Sequence, residues 1–404
     1  MHRYFLLLIS LLYSVLVSAQ NETLRLDYMF SGTSKSVEIS LDGMSRTDGW
    51  AGRRHNLDTL PLRGNGQIIM TDVENGNILY MNSFSSLFQE WQTTEESECV
   101  RKSFENVFLV PMPPAKARIE IRLFDFYGSV CASLSHIVDP DDILIRKSFP
   151  TSAQSRYLMK NGKPEDCIDV VIVAEGYTSE EMDVFYEDAV VAMEAILSHS
   201  PFDRYKDSFN FLAVGLESAD SGVSVPKQNL WKDTAIRSNF DTFYMDRYLT
   251  TIYQKNLHDM LSGLPYEHII ILANTDNYGG GGIYNAFTLT TAHHRAFRPV
   301  AVHEFGHSFA GLADEYHYDD MYIEYYYPEA EPWEQNITTM FDFDSKWKDM
   351  VVSGEAGIFE GAGYQSKGVF RGAEDCRMHT NTAKQFCPVC QRAIERLIRF
   401  YLPL

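Results

Sequence analysis

Residues 301–316 read Ala-Val-His-Glu-Phe-Gly-His-Ser-Phe-Ala-Gly-Leu-Ala-Asp-Glu-Tyr, and they carry the residue types that metal-assisted hydrolysis requires. His303 and His307 stand four apart, so on a helix both rings project from one face, a turn from each other. Two imidazoles so placed can reach one Zn²⁺ at about 2.0–2.1 Å. Glu304 lies one step round the helix. It is expected to hold a water at the metal and take its proton, not to act as a ligand. A catalytic zinc needs a third protein ligand and an open position. On a helix continued past His307, Asp314 would sit about 10 Å further along the axis, out of reach. Gly311 allows the chain to leave the helix and turn back. Asp314 is then the expected third ligand, with Glu315 as the alternative and His317 as a weaker one. The competing reading is an ordinary helix with two core histidines and a surface glutamate, which must account for three fixed positions together.

The elements around this stretch must hold it in place. Arg298-Pro299-Val300 opens the motif helix, with proline in the first turn, where its missing N–H costs nothing. Upstream, "IDVVIVAEGY" from Ile168 is a continuous β-branched run, as expected of a strand buried on both faces. Thr178 and Glu181 form a capping box for a helix running to about Leu197. "NFLAVGLES" is read as the next strand, residues 239–261 as the next helix and "EHIIILANT" as a third strand. That alternation predicts an α/β domain with a mainly parallel sheet. Four glycines at 279–282 lack a phosphate-loop context. The following "IYNAFTLTT" reads as one more strand, and at the sheet edge it could pair with an extended peptide around Ile283 to Thr290. "RAIERLIRFYLPL" is a closing amphipathic helix.

Residues 20–150 differ. Six short alternating runs between Thr23 and Gly128, broken by Asp42-Gly43 and by Pro111, Pro113 and Pro114, predict an all-β sandwich with no helical period and no catalytic cluster. The first nineteen residues combine Arg3, an apolar run from Phe5 to Val17 and small residues at Val17-Ser18-Ala19. That is the pattern of a cleaved secretory signal. No later stretch reaches the ~20 apolar residues of a spanning helix. The expected organisation is a signal peptide over 1–19, a β-sandwich over 20–150 and a zinc metallopeptidase catalytic domain over 151–404. The expected location is periplasmic, cell-surface or secreted.

The string "HEFGHSFAGLADEY" resembles the metzincin clan of zinc peptidases, and within it the family typified by bacterial immunoglobulin-A-cleaving peptidases. The similarity extends over roughly 165–400 in strand and helix order, and a β domain ahead of the peptidase domain fits it. This chain has one extra residue before the glycine relative to the clan's HExxHxxGxxH or HExxHxxGxxD. The resemblance implies a metzincin-like α/β fold, with an active-site helix on a twisted sheet. It also implies a methionine turn beneath the metal, for which Met378 is the candidate. A host or dietary glycoprotein, such as an immunoglobulin, is the implied substrate. Cys-x-Met followed by Cys-x-x-Cys at Cys376, Cys387 and Cys390 is similar to archaemetzincins, in which such cysteines hold a second, structural zinc.

Six cysteines in an exported chain favour disulfides over that second zinc, with Cys99 and Cys131 a plausible pair. Net charge is −20, which disfavours nucleic acid, and no basic run offers membrane-surface attachment. Hydrophobic residues make up 45% of the chain, enough for a large core. Tyr316, Tyr318 and Tyr322 are candidate donors to a developing oxyanion. His293 and His294 are candidate cleft residues. Asp319, Asp320 and Glu324 are read as a solvated loop in preference to a Ca²⁺ site. The function that fits is an exported zinc-dependent endopeptidase acting on protein or glycoprotein. The rivals are a surface glycan- or protein-binding module with a non-catalytic zinc, and a zinc amidase acting on cell-wall peptides.

Overall fold

Alternation in the first 150 residues produces two four-stranded sheets. The strands are β1 (Glu22–Thr33), β2 (Ser36–Asp48), β3 (Gly66–Asp72), β4 (Ile78–Phe84), β5 (Lys102–Pro111), β6 (Ala117–Phe124), β7 (Val130–Val138) and β8 (Arg146–Lys147). The orders are β5-β1-β2-β8 and β4-β3-β6-β7. Leu24, Leu26, Tyr28 and Phe30 of β1 share one apolar core with Ile119, Ile121 and Leu123 of β6, which is what period-two patterning dictates. The chain structure is a computed structural model that describes residues 22–318 and 325–403. The expected signal segment over 1–19, and Asp319, Asp320, Tyr322 and Glu324, lie outside the described residues. Two short helices absent from the sequence reading, α1 (Leu87–Trp91) and α2 (Glu96–Cys99), interrupt this half. Ser86 caps α1 by accepting the Gln89 N–H.

The second half is a three-layer arrangement. Its six-stranded sheet is built from β9 (Gln154–Lys160), β10 (Ile168–Glu175), β11 (Phe209–Gly215), β12 (His268–Ala273), β13 (Gly280–Ile283) and β14 (Phe287–Thr291), in the order β13-β14-β12-β10-β11-β9. The three inner pairings are parallel, and β9 and β13 close the edges antiparallel. Every residue of β10 is buried. Val171 and Val173 join the core shared with β1 and β6. Val170 and Ile172 face the other way, toward Phe185 of α3 (Met182–Leu197), Phe305 and Phe309 of α5 (Phe297–Ala310), and Ile394 and Leu397 of α7 (Pro388–Tyr401). The run is unbroken because both faces are covered. A three-stranded sheet of β15 (Ile337–Thr338), β16 (Phe359–Ala362) and β17 (Gln365–Arg371), and helix α6 (Lys348–Ser353), fill the space before α7.

Two local expectations fail. Helix over 239–261 shrinks to α4 (Gln254–Met260). Asp241, Phe243 and Tyr244 adopt positive φ, and Asn239 bridges Thr250 while Tyr248 bridges Gly280. The segment is rich in aromatic and β-branched residues, which are weak helix formers, and tertiary contacts claim it. The expected strand over 283–291 is split by a hairpin turn with Asn285 at φ 53°. Its second part, β14, is an interior strand, so the sheet edge is the glycine run itself and not Phe287–Thr290. Among the described residues no helix is long and apolar enough to cross a membrane.

Candidate metal centre

Helix α5 packs against the sheet and α3 and buries residues all round: Val300, Ala301, Val302, Phe305, Ser308 and Phe309 are all inaccessible or nearly so. Packing on this scale fixes its rotation, and with it the direction of His303 and His307. The helix stops at Gly311, which takes the left-handed conformation (φ 58°) and donates its N–H to the His307 carbonyl at 2.9 Å. A Cβ there would meet the Trp333 ring at 2.5 Å, so conformation and space both demand glycine. The chain then doubles back and carries Asp314 to the histidines.

His303 Nε2 lies 3.0 Å from His307 Nε2. Asp314 Oδ1 is 2.9 Å from the first and 3.2 Å from the second. His303 Nδ1 donates to the Arg377 carbonyl at 2.9 Å, and His307 Nδ1 to the Leu312 carbonyl at 2.5 Å. Carbonyls only accept, so both protons sit on Nδ1 and both Nε2 lone pairs point inward. Asp314 Oδ1 is buried and has no hydrogen-bond donor. Three acceptors thus face one another, an arrangement that only a cation or a proton relieves. Tetrahedral zinc at about 2.0–2.1 Å would space its ligand atoms by roughly 3.3 Å, close to what is seen. The donor set fits a divalent zinc-class ion.

Charge runs in the same direction. Burial alone would push the Asp314 carboxyl up, but His307 and His303 hold it well below the usual range. Burial would lower His307, but Asp314 raises it to about 9. Glu304, one of the group of three potential ligands with His303 and His307, has its carboxyl raised by burial, against the opposing charge of His303 and His307.

The glycine run explains how β13 reaches this helix. A Cβ on Gly282 would stand 2.3 Å from the Glu304 carbonyl and 2.8 Å from the His307 Cβ. One on Gly280 would meet the Glu304 carboxylate at 2.9 Å. These glycines, which form no phosphate loop, let the edge strand lie directly on the helix face that carries Glu304 and His307. That edge is partly taken, since the Gly280 N–H donates to the Arg247 carbonyl.

Sequence reasoning missed several groups. The Tyr364 hydroxyl, from the turn between β16 and β17, donates to Asp314 Oδ2, leaving Oδ1 to the histidines. The Arg247 guanidinium stands 5.7 Å over the Tyr316 ring and donates to the Tyr318 hydroxyl. Tyr316 stacks beside His303 at 6.4 Å between ring centres, which places one of the three candidate tyrosines next to the centre. Glu90, on α1 of the first β half, accepts from the Tyr248 hydroxyl. Burial raises its carboxyl to about 7, and His307, Glu304 and Asp314 are close enough to influence it. No local signal marks Tyr364, Arg247 or Glu90, because each arrives from a distant part of the chain. Met378, the methionine-turn candidate, packs on the helix that carries the histidines: its Sδ would be 2.8 Å from a Cβ on Gly306.

Other candidates go elsewhere. Glu315 turns away, into the cysteine cluster, with its Oε1 3.0 Å from Cys390 Sγ. His317 bridges Tyr364 through the backbone and packs on Gly361. His293 pairs with Asp188 of α3 at 2.8 Å, and His294 packs on Tyr278. The expected disulfides do not form: all six cysteines are free, and Cys99 and Cys131 are exposed.

The sequence model of a family described as IgA Peptidase M64 matches residues 157–356 and 352–398. A second, described as Peptidase M64 N-terminus, matches residues 17–135. A search of curated proteins gives no match.

Proposed function

The chain belongs to the IgA peptidase M64 family, and from that footing we propose that it is an exported, zinc-dependent endopeptidase of metzincin type. The observation that carries this reading is the convergence of two inward Nε2 lone pairs and an undonated carboxylate oxygen within 3.2 Å, with Glu304 beside them. His303, His307 and Asp314 would hold the ion. Zinc there supplies Lewis acidity, polarising a scissile carbonyl and lowering the pKa of a water to about 7. Glu304 takes the proton of the attacking water and returns it to the leaving amine. Tyr364 keeps Asp314 turned toward the histidines. Tyr316, beside His303 and under the Arg247 charge, is the phenol assigned to the oxyanion that develops as water adds. The family's description supplies immunoglobulin A as the candidate substrate, and Val17-Ser18-Ala19 supplies the argument for export.

Purified full-length chain incubated with casein, immunoglobulin and a peptide library tests this. Internal peptide-bond cleavage, lost with chelator and in Glu304→Gln, is the expected result. Metal bound without turnover of any amide would replace the proposal with a binding module, and turnover restricted to cell-wall peptides would replace it with an amidase.

A further inference from the structure

Behind the first centre, Cys376, Cys387, Cys390 and Glu315 bring one ligand atom each within 4.8 Å of one another. Their exposures are 1%, 4%, 0% and 0%. Cys376 Sγ and Cys390 Sγ are 3.7 Å apart. Two thiolates on one tetrahedral zinc at about 2.3 Å would be separated by about 3.7 Å. Glu315 Oε1 is 3.0 Å from Cys390 Sγ and 4.0 Å from Cys387 Sγ. Glu315 Oε2 is buried and has no hydrogen-bond partner. A carboxylate with one oxygen against the sulfurs and the other buried without a partner, in a closed site with three thiols, is costly unless a cation joins them.

The surrounding backbone is arranged for negative sulfur. Cys376 Sγ accepts the N–H groups of Cys387 at 3.1 Å and Met378 at 3.5 Å, and Cys387 Sγ accepts that of Cys390 at 3.5 Å. Cys387 is also the N-cap of α7, where the helix dipole favours an anion. Pro388 starts that helix in the first-turn position it tolerates. The cysteines and Glu315 come from three separated stretches of chain, so nothing short of the fold assembles them.

We propose that these four residues hold a second, structural zinc ion. Its four protein ligands and near-complete burial leave no open position for substrate, the mark of a structural site. The ion ties together the two segments on which the first centre depends. Glu315 directly follows Asp314, and its N–H donates to the Met378 carbonyl at 2.8 Å. Cys376 directly precedes Arg377, whose carbonyl orients His303. The second ion therefore positions the third ligand, the methionine floor and one histidine tautomer at once.

The experiment counts zinc per chain by mass spectrometry, and its ligands by X-ray absorption, on zinc-loaded and desalted full-length protein. Wild type is expected to hold two ions. A His303→Ala/His307→Ala double variant is expected to keep one, with zinc–sulfur scattering at about 2.3 Å. Cys387→Ser is expected to lose the sulfur signal and fall to one. Wild type with a single ion lacking sulfur ligands, or a double-histidine variant holding none, would overturn the proposal. So would a disulfide among these cysteines, seen as two thiols that take up alkylating reagent in denaturant only after reduction. Should Cys387→Ser fail to fold, the double-histidine variant decides alone. Because that variant removes only the first centre, failure of the peptidase reading and failure of this one give different counts.

Discussion

The proposed centre assigns ligands, base and supports to single residues. Glu304→Gln keeps the shape and loses the base. Cleavage of a peptide substrate should fall roughly 10²–10⁴-fold, while zinc content, read by mass spectrometry, stays at the wild-type value. Tyr364 works through Asp314. Its hydroxyl occupies Oδ2, and ligand supports of this kind are worth roughly 10–100-fold in metal affinity. Tyr364→Phe should weaken zinc binding by about that factor in a competition titration with a chromophoric chelator. An unchanged affinity would show that Asp314 needs no partner to keep its orientation.

At the scale of elements, the break after α5 and the start of β10 carry measurable consequences. Gly311→Ala forces a Cβ into the left-handed region, at about 1–2 kcal/mol, and against the Trp333 ring. We expect a lower Tm together with weaker zinc retention, because the return path of Asp314 moves with the turn. Asp169, at the start of β10, is nearly inaccessible. Asn210 donates to its Oδ1 at 2.9 Å, and its Oδ2 has no partner. Burial raises its carboxyl from 3.8 to about 6. For a raised pKa the stability contribution is full below the unfolded value and is lost as pH climbs through the folded one. The window is therefore about pH 4 to 6. Asp169→Asn should be more stable than wild type by about 1–3 kcal/mol at pH 8, and the advantage should vanish near pH 4, as read by urea denaturation. A difference independent of pH would show that the carboxylate is not buried in its charged form.

Across the whole molecule, the β half and the peptidase half share their interior. Leu24, Ile119, Val171, Leu212 and Ile269 belong to one apolar cluster. Polar ties reinforce it: Trp333 Nε1 donates to Asn65 Oδ1 at 2.7 Å, Asn285 Nδ2 to the Ser83 carbonyl at 2.7 Å, and Arg25 Nη1 to Asp259 at 2.6 Å. The first half also sends Glu90 toward the reactive helix. Cooperative unfolding follows from a shared core. Calorimetry on the full chain should show one transition for both halves, shifted down by chelator because bound metal stabilises only the folded form. Two resolved transitions would mean the halves fold independently.

The residue types and spacing of His303, Glu304, His307 and Gly311 were legible from sequence because they obey local rules: a helical turn, then the residue that ends it. Strand alternation and the unbroken run of β10 were legible for the same reason, since burial on one face or two leaves a periodic trace. Residues 239–261 misled because their spacing looked helical while Asn239 paired with Ser224 and Thr250, and Tyr248 with Gly280 of β13. Only the tertiary structure showed that Asp314, and not Glu315, faces the histidines. Neighbours in sequence turn to opposite sides, one toward the histidines and the other toward three sulfurs. Tyr364, Arg247 and Glu90 likewise became visible only in the fold, because contacts between distant segments are set by packing and leave no mark in the spacing of nearby residues.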